Sequence, residues 1–150
     1  MRNQSLLTSL IIFMVLSINL TAQEESSEKW VLIKKDANSR LYLDIHGLKD
    51  LQGNDIYIWT REYYDPPRII ETINGKIYNA KTYYLINKEI KKYSILQIIY
   101  YDENNNLIKD FIYDRNSDIE EYKYNYPILL DSDMDLIFEE CLKYFWNTED

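Results

Sequence analysis

The chain has very little of what metal, redox and disulfide chemistry needs. One His and one Cys in 150 residues exclude a multi-histidine zinc site, a CxxC redox pair and an intramolecular disulfide, because each requires partners the sequence lacks. Positive charge is also in deficit: 17 Lys and Arg stand against 25 Asp and Glu, a net charge of −8. An acidic surface attracts neither nucleic acid nor an anionic membrane, so no nucleic-acid partner is expected. A chain of this length falls within the roughly 100–200 residues of one domain, too short for an ATPase or a multidomain enzyme.

Long apolar runs are missing too. Leu10 to Leu16 is the longest uninterrupted one, and Thr8, Ser9, Ser17 and Asn19 dilute its surroundings. Spanning a bilayer takes about 20 apolar residues. Arg2 ahead of this segment, Ala22 after it and the acidic Glu24-Glu25 beyond instead predict a secretory signal peptide over residues 1–22. No Cys lies near the cleavage point, so a lipoprotein anchor is not expected. The predicted product is exported, periplasmic or extracellular at the cell surface, with no membrane span after cleavage. Residues 23–29 read as a flexible lead, 30–146 as one domain and 147–150 as a tail.

What the domain does have is Tyr. All 15 lie beyond residue 22, with abundant Ile and only three Gly and three Pro in the whole chain, a composition that favours strands. Trp30-Val31-Leu32-Ile33 is a short apolar run, and Asp36 to Ser39 is a turn. Arg40 to Ile45 then alternates, with Leu41, Leu43 and Ile45 on one face and Tyr42 and Asp44 on the other. Ile56 to Tyr64 alternates again, separating Tyr57, Trp59 and Arg61 from Ile56, Ile58 and Thr60, until Asp65-Pro66-Pro67 predicts the end of pairing. Ile77 to Ile86 is another strand. Ser94 to Tyr101 and Leu107 to Tyr113 form a hairpin about Asp102 to Asn106. Asp114 to Asp118 is a polar turn, after which Tyr122, Tyr124 and Tyr126 recur with period two.

The last element changes period. Met134, Ile137, Phe138, Cys141, Leu142 and Phe145 make the stripe of an amphipathic helix, with Ser132 or Asp133 as its cap. The predicted fold class is therefore α+β: an antiparallel sheet of about six strands with a C-terminal amphipathic helix packed on one face.

These landmarks resemble a known family. Trp30-Val31 opens the domain, Tyr42-Leu43-Asp44 lies in the second strand and Ile58-Trp59 in the third. Tyr100-Tyr101-Asp102 enters a tight turn, and Pro127 precedes a helix bearing Cys141. In this order, behind a signal peptide, they resemble the surface-adhesin protein E-like domains of bacteria. The resemblance implies a small antiparallel sheet crossed by a C-terminal helix, in exported proteins named for adhesion to host or matrix proteins, without enzymatic activity. Members commonly carry a second Cys that ties the helix to the sheet, in a stretch corresponding to Asn87 to Ser94. That Cys is absent here. Gly is also missing from the Asp102 turn, where Asn104 to Asn106 can substitute because Asn visits the left-handed region readily.

Chemistry-bearing residues give no catalytic, cofactor or metal assignment. Asp131, Asp133 and Asp135 mimic the start of a calcium loop, but Leu136 stands where its Gly belongs and Leu142 where its Glu belongs. Asp102, Asn104 and Asn106 make the same false start. His46 has no Ser and carboxylate of recognisable triad context. Cys141, mid-stripe, reads as a buried inert thiol, although pairing between chains stays open. Trp30 and Trp59 read as core side chains.

Tyr63-Tyr64, Tyr83-Tyr84 and Tyr100-Tyr101 each send one ring to each sheet face, so some rings must lie on the side the helix leaves uncovered. Such a face could hold a protein or a glycan, while coding bias and strand propensity enrich Tyr without any ligand. The expected function is an exported non-catalytic binding module, adhesin-like, engaging a host or matrix macromolecule. The alternatives are an envelope accessory or inhibitor-like protein acting on a bacterial partner and, behind these, a carrier of a small apolar ligand or a small hydrolase. Exposed sheet edges leave a homodimer open.

Overall fold

A computed structural model describes residues 28–46, 48, 53–113 and 123–146. The predicted signal peptide, most of the predicted lead, the predicted turn at Asp114 to Asp118 and the predicted tail lie outside the described residues.

Six strands run as an antiparallel meander in sequence order: β1 (Trp30–Lys35), β2 (Ser39–Asp44), β3 (Asp55–Arg68), β4 (Ile77–Asn87), β5 (Lys92–Tyr101) and β6 (Leu107–Ile112). The two-residue β7 (Tyr126–Pro127) pairs with the start of β5. One helix, α1 (Asp133–Trp146), follows. This is the expected α+β architecture. Among the described residues no helix is long and apolar enough to cross a membrane.

Alternation decides what each face carries. Leu41 and Leu43 of β2, Ile56 and Ile58 of β3 and Ile86 of β4 are buried together with Met134, Ile137, Phe138 and Cys141 of α1. The helix thus lies across the sheet by its predicted stripe from Met134 to Leu142, the Phe145 side chain lying outside what is described, and each of these buried side chains contributes about 1.5–3 kcal/mol of burial. Ser132 caps α1, since its Oγ accepts the Asp135 N–H at 3.1 Å. Farther along the same face, a second cluster joins Tyr64, Ile73, Ile77 and Ala80, with Tyr100, Ile108 and Phe111 packed against it.

Turn chemistry sets the β5–β6 hairpin. The Asp102 carboxylate accepts the N–H groups of Asn104 (2.9 Å) and Asn106 (2.8 Å) through Oδ1, and the Asn106 amide at 2.9 Å through Oδ2. Asn105 takes φ 59°, the left-handed conformation otherwise left to Gly. The same hydrogen bonds hold the Asp102 carboxyl below its ordinary range.

Two expectations change. The strand at Asp65-Pro66-Pro67 does not end: β3 continues to Arg68, with a break in register between Tyr63 and Arg68, where pairing resumes with Ile77. The prolines occupy the irregularity, where no ladder N–H is demanded of them. The Tyr122 to Tyr126 strand shrinks, within the described residues, to β7. Ser94 Oγ donates to the Lys123 carbonyl (2.8 Å) and accepts the Asn125 N–H (3.0 Å), which takes those backbone groups out of the ladder.

Candidate functional site

The face opposite α1 is the candidate site. Because successive side chains point to opposite sides, β3 sends Tyr57, Trp59, Arg61 and Tyr63 to this face, while β4 sends Asn79, Lys81 and Tyr83. β2 adds Arg40 and Tyr42, and β5 adds Tyr101. At one end Leu85, Leu96 and Tyr124 form a small buried cluster with Tyr83 packed against it. The rest is half-buried or exposed.

Its centre is a stack. Trp59 and Tyr83, directly opposite across β3 and β4, lie 4.6 Å apart at 16° between planes, and Tyr57 approaches Tyr83 at 6.2 Å. Lys81 Nζ stands 4.6 Å from the Trp59 ring centroid and 5.6 Å from that of Trp30, and forms an ion pair with Glu28. Glu28 also accepts the Trp30 indole N–H at 3.2 Å. Trp30 and Trp59 are therefore not core side chains as expected. Both are partly accessible on the uncovered face, where stacking and cation–π contact keep them in place without burial.

A second group surrounds Arg61. Its guanidinium lies 5.4 Å from the ring centroids of both Tyr63 and Tyr101. Arg61 Nε donates to Asn79 Oδ1 at 3.1 Å, and the Asn79 amide donates to Asn105 Oδ1 at 3.1 Å. Asn79 is buried, so the hairpin turn and the sheet together hold Arg61 in position. Burial pushes the Tyr101 hydroxyl up against the opposing pull of Arg61.

Arg40 and Tyr42 of β2 face Tyr63 and Arg61 of β3. The Tyr42 and Tyr63 rings meet edge to face at 5.7 Å, and Arg40 lies 5.8 Å from the Tyr63 centroid. With Trp30 these four line a groove of about 250 Å³.

A polar cleft of about 620 Å³ lies at the end marked by Tyr124. Asp55 is its hub: Lys123 and the Tyr124 hydroxyl donate to its carboxylate, and the Asn87 amide adds a bond of 3.0 Å. Burial would raise the Asp55 pKa, but these donors outweigh it and hold the carboxyl below its ordinary value. The same bonds raise Lys123. These groups bond one another, which ties the segment leading to β7 to the ends of β3 and β4.

The other chemistry-bearing residues are dispersed. His46 is exposed after β2, its backbone N–H bonded to the Asp44 carboxylate at 3.0 Å. Asp133 pairs with Lys34 at 2.7 Å, and Asp135 accepts the Asp131 N–H at 3.0 Å, so these acids serve the helix start. Cys141 is a free buried thiol pushed up to about 12 by burial and by Glu140. Among the described residues no cluster of His, Cys, Asp and Glu could hold a metal ion.

Sequence reasoning foresaw the split Tyr pairs. Tyr64, Tyr84 and Tyr100 pack toward the helix-side clusters, while Tyr63, Tyr83 and Tyr101 face away. It did not single out Arg40, Arg61 or Lys81, whose setting depends on cross-strand register. Comparison of the chain with protein-family models, curated proteins and solved structures finds no match.

Proposed function

We propose that this protein is an exported, non-catalytic binding module that engages a macromolecular partner through the sheet face opposite α1. The observation that carries the reading is the concentration there of partly accessible Trp, Tyr and Arg, the side chains enriched where interfaces derive most of their energy. Large rings held by one another lose little conformational entropy on contact, so the face is already organised for a partner.

The order of landmarks similar to surface-adhesin protein E-like domains supports an adhesin-like role toward a host or matrix protein. Export rests on the signal-peptide reading of residues 1–22. An apolar-ligand carrier has less support, because Leu43, Ile56, Phe138 and Cys141 meet at 0–1% exposure between sheet and helix.

The test is capture from two sources, matrix proteins and the envelope extract of the source cell, by the purified protein and by a Tyr57→Glu/Tyr83→Glu variant. Saturable capture of a matrix protein, lost in the variant, is the expected result. Capture of an envelope protein alone would make it an accessory protein, and capture indifferent to the substitutions would remove the open face from the account.

A further inference from the structure

The groove between β2 and β3 has a more specific character than the face around it. In register, Arg40 lies opposite Tyr63 and Tyr42 opposite Arg61, so two guanidiniums and two phenols alternate as a checkerboard. Trp30 forms the remaining wall. Among the described residues neither guanidinium has a carboxylate within salt-bridge reach. Glu28, which holds the Trp30 indole, is itself matched by Lys81. In a chain of net charge −8, two guanidiniums beside one groove with no carboxylate partner among the described residues form a local exception.

Three properties define the occupant. Arg40 offers its whole planar fork and Arg61, whose Nε and Nη2 already donate to Asn79 and Asn105, its Nη1 end, and together they suit a carboxylate, which accepts paired N–H donors. The aromatic walls suit a flat, partly apolar body carrying that carboxylate. A volume of about 250 Å³ admits one ring-sized unit. An extended peptide is disfavoured, because β2 pairs with β1 and β3, and β3 with β2 and β4, so their backbone groups are committed to the sheet. A polyanion is disfavoured too, since the surrounding acidic protein repels every charge beyond those the two arginines meet.

We infer that the Arg40, Tyr42, Arg61 and Tyr63 checkerboard, walled by Trp30, binds a carboxylate-bearing pyranose, a singly charged acidic sugar at the end of a glycan. The inference rests on the open face being the binding surface and names the ligand class at one part of it. The carboxylate lies between the guanidiniums, and the sugar ring packs against the aromatic walls with its hydroxyls toward the two phenols.

Titration of the full purified protein, followed by Trp fluorescence, tests this with methyl glucuronide and methyl sialoside as probes. Methyl glucoside is the neutral control and N-acetylglycine the acyclic carboxylate control. At least one acidic sugar should saturate, with both controls roughly tenfold weaker or more, the scale of a lost charge-assisted hydrogen bond. Arg40→Gln should weaken the acidic sugar by about tenfold or more, and Arg40→Lys should restore only part, because an ammonium cannot fork. The Arg40 side chain is exposed and makes no hydrogen bond among the described residues, only the 5.8 Å cation–π contact with Tyr63, so the variant's melting midpoint should shift little. Equal binding of the neutral sugar, equal binding of N-acetylglycine, or no saturation by either acidic sugar would each overturn the assignment. If partner capture is still lost in Tyr57→Glu/Tyr83→Glu while no acidic sugar binds, the sugar assignment alone fails. Capture indifferent to that variant would remove both readings.

Discussion

The two faces of the sheet are built from the same strands by opposite means. Toward α1, aliphatic side chains of β2, β3 and β4 disappear beneath Phe138 and Ile137, and stability comes from excluding water. On the other side the corresponding positions hold Tyr, Trp, Arg and Lys, which satisfy one another through stacking and cation–π contact and stay partly wet. One side is organised by burial and the other by mutual contact. Truncation should therefore cost folding on one side and recognition on the other.

The largest effect belongs to the helix. Phe138→Ala should cost about 3–5 kcal/mol in denaturant unfolding, because it opens a cavity where the side chain is 1% exposed. On the open face, Tyr57→Ala should cost less than about 1 kcal/mol, since Tyr57 is already 41% exposed, while partner capture falls sharply. Equal destabilisation by the two changes would erase the contrast between the faces.

Removing the helix cap gives an intermediate effect. Ser132→Ala should cost about 1 kcal/mol by freeing the Asp135 N–H, measured as a lower unfolding midpoint, and should leave partner capture intact.

Two pH effects sharpen the comparison. Burial and Glu140 raise the Cys141 thiol to about 12, so its contribution to stability is complete below the ordinary thiol value of about 8.5 and is lost as pH rises toward 12. A thiol reagent at pH 8 should accordingly label the protein only after denaturant is added, and immediate stoichiometric labelling would place Cys141 at the surface. Asp55 has the opposite sign. Its lowered pKa gives stability present above the unfolded value of about 3.9 and lost as pH falls through the folded one. Asp55→Asn should cost about 0.5–1 kcal/mol at pH 7, the scale of a partly exposed ion pair, and that deficit should vanish in strong acid.

Much of the fold was legible because its signals are periodic. Alternation in Arg40 to Ile45 and Ile56 to Tyr64 separated the faces, and the stripe from Met134 to Leu142 showed which side of the helix is buried. A left-handed residue among Asn104 to Asn106 was also legible, and Asn105 is the one that takes it. The extension of β3 through Pro66 and Pro67 was not legible, because a bulge suspends the ladder's demand for an N–H, and its position depends on the partner strand. Nor was the short β7, since a single hydroxyl, Ser94 Oγ, decides where the backbone of residues 123–125 bonds.

The candidate site was legible only in part. Paired Tyr residues announced rings on both faces, but large apolar Trp30 and Trp59 read as core. Their accessibility depends on Lys81 and Tyr83, which lie far away in sequence and adjacent in space. The Arg and Tyr checkerboard likewise requires the exact pairing of β2 with β3, which periodicity in either strand does not fix.

The central claim is that recognition occurs on the face opposite α1. Hydroxyl-radical footprinting of the protein, free and bound to its captured partner, tests it most directly. The account predicts protection of Tyr42, Trp59, Tyr63 and Tyr83, with the exposed Leu107 and Ile112 of edge strand β6, and Leu129 and Leu130 ahead of α1, unchanged. Protection of those leucines and isoleucine with the open-face rings unprotected would contradict it and place the partner at the sheet edge or the helix start.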